Sequence, residues 1–293
     1  MQLAIDYIEE NLDGSIDLED VAKIAFCSKY HFHRMFFAMV GLTFAEYIRR
    51  RRFTLAAVEI QNSSRKVVDV ALAYGHESPN AFTRAFRNIH GMNPVDVRKS
   101  SVTLSSYSKA RIPAAIGGGE KMEYKIVEKP AFRVIGKAKS FEYDKFFKEG
   151  PKFWKQYVSS PDYKKLYQRT NGRPGVISEA PLLSAYFPKE KSGKDEFLEL
   201  FGLETGSGKA VSGLEIHTVP AATYAEFSCI YKDAVKANRY IYGEWFASTG
   251  YERDGNKPDI AAYFPIAFRP MGEMGIRWWI PVKTGKKQAQ KAG

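Results

Sequence analysis

Cysteines and long apolar runs are both scarce in this chain of 293 residues, and each scarcity excludes a class of protein. Two cysteines, Cys27 and Cys229, cannot build a disulfide framework or a four-ligand zinc site. No stretch approaches the roughly 18 consecutive apolar residues of a membrane-spanning helix, and the acidic N-terminus lacks the basic and apolar regions of a signal peptide. We therefore expect a protein of the reducing cytoplasm with no membrane partner.

Proline is also sparse, with 14 residues, while 44% of the chain is hydrophobic and 26% is charged. This balance is typical of a folded globular protein and excludes disordered, collagenous and coiled-coil chains. The length is that of two domains, taking roughly 100 to 200 residues for each.

Basic residues are absent from the first 20 positions, which hold seven acids, but they are abundant afterwards. Residues 21–110 carry fourteen Lys or Arg against five Asp or Glu, and the formal net charge of the chain is +11. This distribution predicts a basic face that meets an anionic partner. The alternative is a charge excess that serves only solubility.

Helical periodicity dominates the first hundred residues. Asp17 can cap one helix, and Ser28 can cap the next, KYHFHRMFFAMV, which ends at Gly41. Phe32 and Phe36 mark the inner side of this second helix. The short segment between the two helices predicts a helix-turn-helix, whose second helix enters a DNA major groove. Its candidate DNA-binding residues are Lys29, Tyr30, His33 and Arg34.

The same scheme recurs in VVDVALAYGHESPNAFTRAFRNIHGMNPVDVR. Ser78 and Pro79 form a helix start, Gly91 forms its end, and Phe82 and Phe86 face inward. Two such units joined by one helix place two reading helices roughly 34 Å apart, one turn of DNA. The candidate DNA-binding residues of the second unit are Asn80, Ala81, Thr83, Arg84 and Arg87.

Residues 1 to about 100 resemble the DNA-binding domain of the AraC/XylS family, in particular its MarA, SoxS and Rob branch. The resemblance rests on LEDVAKIAFCSKYHFHRMFFAMVGLTFAEYIRRRR and ALAYGHESPNAFTRAFRNIHGMNPVDVR, which match the two repeats of that domain. One departure is His76, where the family commonly has Phe. The resemblance implies double-stranded DNA as the partner, with RNA polymerase as a candidate second partner. It also implies DNA contacts from Tyr30, His33 and Arg34 and from Asn80, Thr83 and Arg84.

Three other features of this region have structural interpretations. Four consecutive arginines, Arg49–Arg52, point in four directions on a helix, so about two of them can reach phosphates while the others are solvated or paired. His31 and His33 lie on different helix faces, which argues against a shared metal. Cys27 fits a turn or core residue better than a redox sensor.

The predicted boundaries follow composition. Residues 1–105 form the DNA-binding domain, 106–121 a Ser- and Gly-rich linker that is mobile around Gly117–Gly119, 122–284 a second domain, and 285–293 a disordered tail. The three glycines lack the spacing and the Lys-Ser/Thr ending of a phosphate loop.

The second domain is α+β, because short runs of β-branched and aromatic residues alternate around two helical stretches. It also repeats internally: residues 125–136 align with 215–226 at an offset of 90, and Ala-Tyr-Phe-Pro occurs at 185–188 and 262–265. We therefore expect two similar halves, related by a pseudo-two-fold axis, with any pocket in the groove between them.

Residues 122–284 resemble the GyrI-like effector-binding domain, through these duplicated halves, YGEWFASTGYE and the closing WIPVK. The resemblance implies an aromatic cleft for a small ligand, often a cation. This chain departs from the family at two acidic positions, where it has Arg277 and Ala261, although Glu226, Glu244 or Glu273 could replace them. A cleft floored by Arg277 would favour a neutral or anionic aromatic ligand. The candidate ligand-binding residues are Tyr157, Tyr186, Tyr224, Trp245, Tyr263, Arg277 and Trp278.

The sequence thus predicts a sequence-specific DNA-binding transcription regulator, an activator, with an all-α double helix-turn-helix followed by a duplicated antiparallel-sheet domain that senses a small molecule. No catalytic residues, metal or cofactor are expected. One alternative is a protein-interaction module without a ligand. Another is a GyrI-like hydrolase of small molecules, for which the sequence offers no recognisable nucleophile and base.

Overall fold

The computed structural model of the chain divides into two units, Met1–Ala114 and Ala115–Gly293. It describes residues 1–99, 102–112, 122–170, 173–189, 195–206, 212–255, 257–264 and 271–284. The glycines predicted to be mobile and the predicted tail lie outside these residues. Within the described ranges, no helix has both the length and the apolar character needed to cross a membrane.

The described part of the first unit is all-α, as predicted. Its helices are α1 Gln2–Glu10, α2 Leu18–Ile24, α3 Lys29–Val40, α4 Phe44–Asn62, α5 Val67–Ala73 and α6 Pro79–His90, followed by a 3-10 turn at Pro94–Arg98.

Side-chain caps define where these helices begin. The carboxylate of Asp17 accepts a hydrogen bond from the amide of Glu19 at the start of α2. The hydroxyls of Ser28 and Ser78 accept from backbone amides in the first turns of α3 and α6, each at 3.3 Å. Both of these helices end at a glycine with φ of 77°, where a Cβ would be strained. The predicted caps are thus confirmed.

The two helix-turn-helix units share one turn geometry. Phe26, between α2 and α3, and Gly75, between α5 and α6, both take left-handed φ, of 56° and 79°. The amide of the following residue then donates to the preceding helix, at 3.0 Å in the first turn and 2.9 Å in the second. The duplication seen in the sequence is therefore a duplication of backbone conformation.

Each helix-turn-helix has its own apolar core, and α4 contributes side chains to both cores. Phe44 and Tyr47 pack in the first core, whereas Phe53 and Ile60 pack in the second. His76, the departure from the family pattern, joins the second core as an aromatic ring, 4.9 Å from Phe53 between ring centroids. Burial, and next the charge of Arg52, lower the pKa of His76, so a neutral imidazole replaces the phenyl ring.

The described beginning of the predicted linker is bound to the helical unit. The backbone amides of Tyr107, Ala110 and Ile112 donate to Thr54 Oγ1, Tyr47 Oη and Gln2 Oε1, at 3.1, 3.0 and 2.9 Å. Ala110 and Ile112 also pack on the first core and Leu104 on the second. Residues 102–112, named the connector below, are therefore held on α1 and α4 by these hydrogen bonds and apolar contacts, although their composition is polar.

The second unit is α+β, as predicted. Its strands are β1 Tyr124–Lys129, β2 Phe132–Glu142, β3 Leu182–Pro188, β4 Glu196–Glu204, β5 Glu215–Val219, β6 Ala222–Ile230, β7 Tyr251–Arg253, β8 Asp259–Phe264 and β9 Gly275–Thr284. Its helices are α7 Tyr143–Val158, α8 Pro161–Thr170, α9 Ala234–Tyr240 and α10 Phe246–Thr249, with a π-helical turn at Ile241–Trp245.

One antiparallel sheet runs in the order β1-β6-β9-β8-β3-β4-β2-β5, with β7 paired to β9. The order is symmetric about the contact between β3 and β8, the two strands that contain the repeated Ala-Tyr-Phe residues, and this confirms the predicted duplication. The halves also exchange their first strands: β1 pairs with β6 of the second half, and β5 pairs with β2 of the first.

The sheet is strongly curled. Six strand spacings separate β1 from β2, a distance of about 29 Å in a flat sheet, yet two residues, which span at most about 11 Å, connect them. The sheet must bend until its first and seventh strands approach each other. Its inner face then encloses a core that includes Phe132, Leu200, Tyr224 and Trp279, while α7 packs on the outer face.

Candidate functional site

The helix α6 presents a polar face to solvent in the second helix-turn-helix. Phe82 and Phe86 are buried on its inner side, and the first-turn cap fixes its start. Of the five predicted DNA-binding residues, Asn80, Arg84 and Arg87 are exposed, and Ala81 and Thr83 are half-buried. The guanidinium of Arg87 also donates to Asn93 Oδ1, at 2.8 and 3.1 Å, so this side chain is oriented before any ligand arrives.

The candidates of α3 are less accessible than those of α6, because Tyr30 and His33 are buried and Lys29 and Arg34 are half-buried. Phe32 and Phe36 contribute to the first core. Tyr30 and Arg34 are four residues apart on another side, and the guanidinium carbon of Arg34 lies 5.5 Å from the centroid of the Tyr30 ring. Lys29 precedes this pair at the first helical position. His33 stands at the border with the core, 6.3 Å from Phe44 between ring centroids.

The four arginines of α4 are all engaged inside the first unit. Arg49 and Arg50 pair with Glu46, at 2.6 and 2.5 Å. Arg51 pairs with Glu9 of α1 at 2.7 Å, and Arg52 donates to backbone carbonyls after α1. The structure thus supports the paired interpretation of this run over the phosphate-binding one.

A cavity of about 1020 Å³ opens in the second unit between the start of β1, the strands β6 and β9, and α9. Its charged lining includes Lys125, Glu226, Asp233, Lys236 and Arg277, and the aromatic residues among its described lining are Tyr124 and Tyr240.

Glu226 is the buried centre of an ion-pair network at this cavity. One carboxylate oxygen, Oε1, lies 3.1 Å from Lys125 Nζ and 3.3 Å from Arg277 Nε, while Oε2 accepts from Trp279 Nε1 at 3.0 Å. Arg277 also pairs with Glu179 at 2.9 Å. Two cations and an indole therefore already satisfy the one buried acid of this group.

The predicted ligand-binding residues are divided between the two faces of the sheet. Neighbouring residues of a strand point to opposite faces, so Arg277 and Trp278 are separated by the sheet itself. Arg277 lies on the inner side over the ring of Phe264, at 4.7 Å, whereas Trp278 stacks with Tyr186 on the outer side, 6.3 Å between centroids. Of the seven candidates only Arg277 lines the cavity.

The remaining candidates are packing residues of this unit. Tyr157 and Tyr263 contact Phe201 on the outer face, with centroids 5.6 and 6.2 Å away. Trp245 packs on Phe227, and Tyr224 lies on the inner face against Trp279. Tyr157, Tyr186, Tyr263 and Trp278 thus share the outer face, whereas Tyr224 lies on the inner face like Arg277, and the role of these residues in ligand binding stays a prediction.

Of two buried acidic residues in the sheet, the sequence analysis considered one and missed the other. Glu226, one of the suggested replacement acids, does line the cavity. Glu199 was missed: it is buried on the outer face, where it accepts from Ser184 Oγ at 2.9 Å, while Tyr263 Oη donates to the same hydroxyl at 3.5 Å. A single acid inside the apolar strand FLELFG was the available signal.

Two family models match the chain. A helix-turn-helix domain matches residues 21–100, and an integron-associated effector binding protein matches residues 125–282, more than half of the chain. Among solved structures, SAV2435 bound to tetraphenylphosphonium is 12% identical, covering 55% of this chain and 94% of that one, with a TM-score of 0.44. A resemblance this distant carries no information about the ligand of this chain.

Curated relatives match mainly the first unit. The regulatory protein SoxS of Salmonella typhimurium is 38% identical over 98 residues, which are 33% of this chain and 92% of SoxS. The transcriptional regulator YbfP of Bacillus subtilis is 40% identical over 94 residues, 32% of either chain. The right origin-binding protein of Escherichia coli is 33% identical over 135 residues, 46% of either chain. The chain thus spans less than half of the last two relatives.

Proposed function

The chain belongs to the AraC-type helix-turn-helix transcription regulators and carries an effector-binding domain of the integron-associated family, and from this premise we propose that it reads an asymmetric DNA site as a monomer. The observation that carries the proposal is the pair of capped helices α3 and α6, each with an aromatic inner side and a polar, basic second side. Two reading helices on one chain remove the need for a dimer.

The side chains on these helices suit base recognition. Arg34 and Arg84 can each form two hydrogen bonds with a guanine edge, and Asn80 can do the same with adenine. Thr83 can contact a thymine methyl group or a phosphate, and Ala81 offers an apolar contact, whereas Tyr30 is buried with Arg34 over its ring. Lys29 and Arg87 add charge at the sugar-phosphate backbone, which strengthens binding without selecting a sequence.

The experiment begins by selecting a site from random duplexes with the full chain. We expect Arg34→Ala and Arg84→Ala each to cost roughly 1–3 kcal/mol of binding to that site and to relax its base preference at one position. Arg65→Ala is the matched control, because Arg65 is an exposed arginine outside both reading helices and pairs with Glu59. Wild-type affinity in both reading-helix variants would overturn the assignment of these residues.

For the second unit we propose that the cavity beside Glu226 takes a neutral or anionic aromatic ligand. Tyr124 and Tyr240 offer ring faces, and the buried carboxylate is already neutralised by Lys125 and Arg277. A cationic ligand would have to displace one of these two partners, whereas an anionic group would meet Arg277 and Lys236.

A thermal-shift series with the full chain tests this ligand class, because a ligand that binds only the folded state raises the melting temperature. Matched anionic, neutral and cationic aromatic compounds form the panel. We expect stabilisation by anionic or neutral members and its loss in Arg277→Gln. Stabilisation by the cations alone would contradict the charge argument, and an inert panel would favour a protein-docking domain without a ligand.

Two proposals remain, a second protein partner for the regulator and an alternative activity for the second unit. As an activator the protein would contact RNA polymerase in addition to DNA. A hydrolase is the weaker proposal for the second unit: burial raises the pKa of the Cys229 thiol to about 11, and no histidine lines the cavity beside it. That thiol is therefore not an activated nucleophile.

A further inference from the structure

The helix α4 has a seam between the two helix-turn-helix cores. Its first half packs in one core through Phe44 and Tyr47, and its second half packs in the other through Phe53 and Ile60. Of the described residues, only Leu55 appears in the apolar packing of both cores. Because so little apolar contact crosses the seam, bending of α4 there would move one reading helix relative to the other.

Arg52 lies at this seam and contacts both helix-turn-helix motifs. Its Nε donates to the carbonyl of Leu12 at 2.8 Å, and its Nη2 donates to the carbonyl of Gly14, both in the segment after α1. The other edge of the same guanidinium lies against the turn between α5 and α6, in the second helix-turn-helix. A Cβ placed on Gly75 would lie only 2.8 Å from Arg52 Nη1.

The same closeness to the second turn places Arg52 near His76. Its charge contributes to lowering the pKa of His76, the residue after Gly75, where burial is the larger cause. That turn leads directly into the cap of α6 at Ser78. A change in the position of the turn therefore changes the position of the second reading helix.

We propose that Arg52 is a positioning residue that fixes α6 relative to α3 and so sets the spacing, in base pairs, between the two DNA segments that the protein reads. This inference rests on the proposed function, in which both helices enter the major groove. Arginine suits the task because its planar fork holds two carbonyl groups with one edge and packs against a glycine with another. A lysine ammonium offers one point charge and cannot satisfy the same three contacts.

Base-pair spacing is a sensitive readout of this geometry. One inserted or deleted base pair moves one recognition segment by about 3.4 Å along the DNA axis and by about 35° around it. A rigid pair of reading helices loses contacts on such a site, whereas a pair joined by a flexible seam adapts to it.

The test uses the full chain and the duplex selected by the wild-type protein, with its two recognised segments moved one base pair closer, left unchanged, or moved one base pair apart. We expect the wild-type protein to bind both altered spacings at least about tenfold more weakly than the selected one. For Arg52→Lys we expect weaker binding to the selected spacing and affinities that differ by less than about threefold across the three duplexes. Gly75→Ala perturbs the same contact from the other side and should give the same flattened preference.

Arg49→Lys is the matched control, since Arg49 is on the same helix and pairs only locally, with Glu46. Circular dichroism melting of each variant establishes that it is folded in the binding assay. A folded Arg52→Lys protein that keeps the tenfold spacing preference overturns the inference and leaves the proposed function intact. A wild-type protein that selects no two-part site overturns both.

Discussion

At the residue scale, Arg51 shows how one side chain joins segments that are distant in sequence. Its guanidinium pairs with Glu9 of α1 at 2.7 Å and donates to the carbonyl of Tyr107 in the connector. The Tyr47 hydroxyl donates to the same Glu9 carboxylate at 2.6 Å. Burial raises the pKa of Glu9, but hydrogen bonds from Arg51 and Tyr47 outweigh it, and the net pKa of this carboxyl is lowered.

The lowered pKa makes the contribution of Glu9 to stability dependent on pH. A carboxyl with a folded pKa below its ordinary 4.5 stabilises the fold above that pH, and the stabilisation is lost as the pH falls through the folded pKa. At pH 7 we expect Glu9→Gln to lower the free energy of unfolding by about 2 kcal/mol, because Arg51 is then left almost buried without its partner. The difference from wild type should shrink below pH 4.5.

Urea unfolding of both proteins, followed by circular dichroism from pH 7 to pH 3, measures this difference. Glu10→Gln is the control, since Glu10 is the exposed neighbour on the same helix. A stability difference that stays constant over the whole pH range would show that Glu9 acts by packing and not by charge.

At the element scale, the pairing of β2 with β4 depends on two facing glycines. Gly136 and Gly202 are register partners, and a Cβ on either one would lie 2.1 or 2.0 Å from a backbone oxygen of the other strand. Real Cβ contacts do not occur at such distances, so the strands can approach this closely only because both positions lack a side chain.

We expect Gly136→Ala to destabilise the second unit by more than about 3 kcal/mol, because backbone atoms, unlike a flexible side chain, cannot move aside cheaply. All four tryptophans lie in this unit, at 154, 245, 278 and 279, so tryptophan fluorescence during chemical unfolding reports on it alone. Gly206→Ala is the control, because no atom of the described residues lies within 4 Å of a Cβ at that position. Equal midpoints for the two variants would contradict the close-approach argument.

At the scale of the whole molecule, the features that the sequence predicted well are the local ones. The helix starts at Ser28 and Ser78 and the ends at Gly41 and Gly91 depend on neighbouring residues alone, and so does the helical period that separates Phe82 from Arg84. The duplication of the sheet domain was visible because both copies retain their sequence signals.

The features that the sequence could not predict depend on long-range register. Whether Arg277 or Trp278 faces the cavity follows from which strands flank β9, and that information is not contained in β9 itself. The linker was predicted from its composition to be mobile around Gly117–Gly119, and the sequence did not show that three apolar residues and three backbone donors hold residues 102–112 on α1 and α4. Arg52 was considered for a phosphate contact, and only the fold brings it to Leu12 and Gly75.

The exchange of first strands between the two halves of the sheet also affects the order of folding during synthesis. The partner of β1, residues Ala222–Phe227, leaves the ribosome about a hundred residues after β1 itself, whereas each helix-turn-helix completes its contacts within a short stretch of chain. Local contacts form quickly and long-range strand pairing forms slowly. We therefore expect the DNA-binding domain to fold on the ribosome before the sheet is complete. At that stage β1 still has an unpaired edge, because its partner β6 has not yet been synthesised.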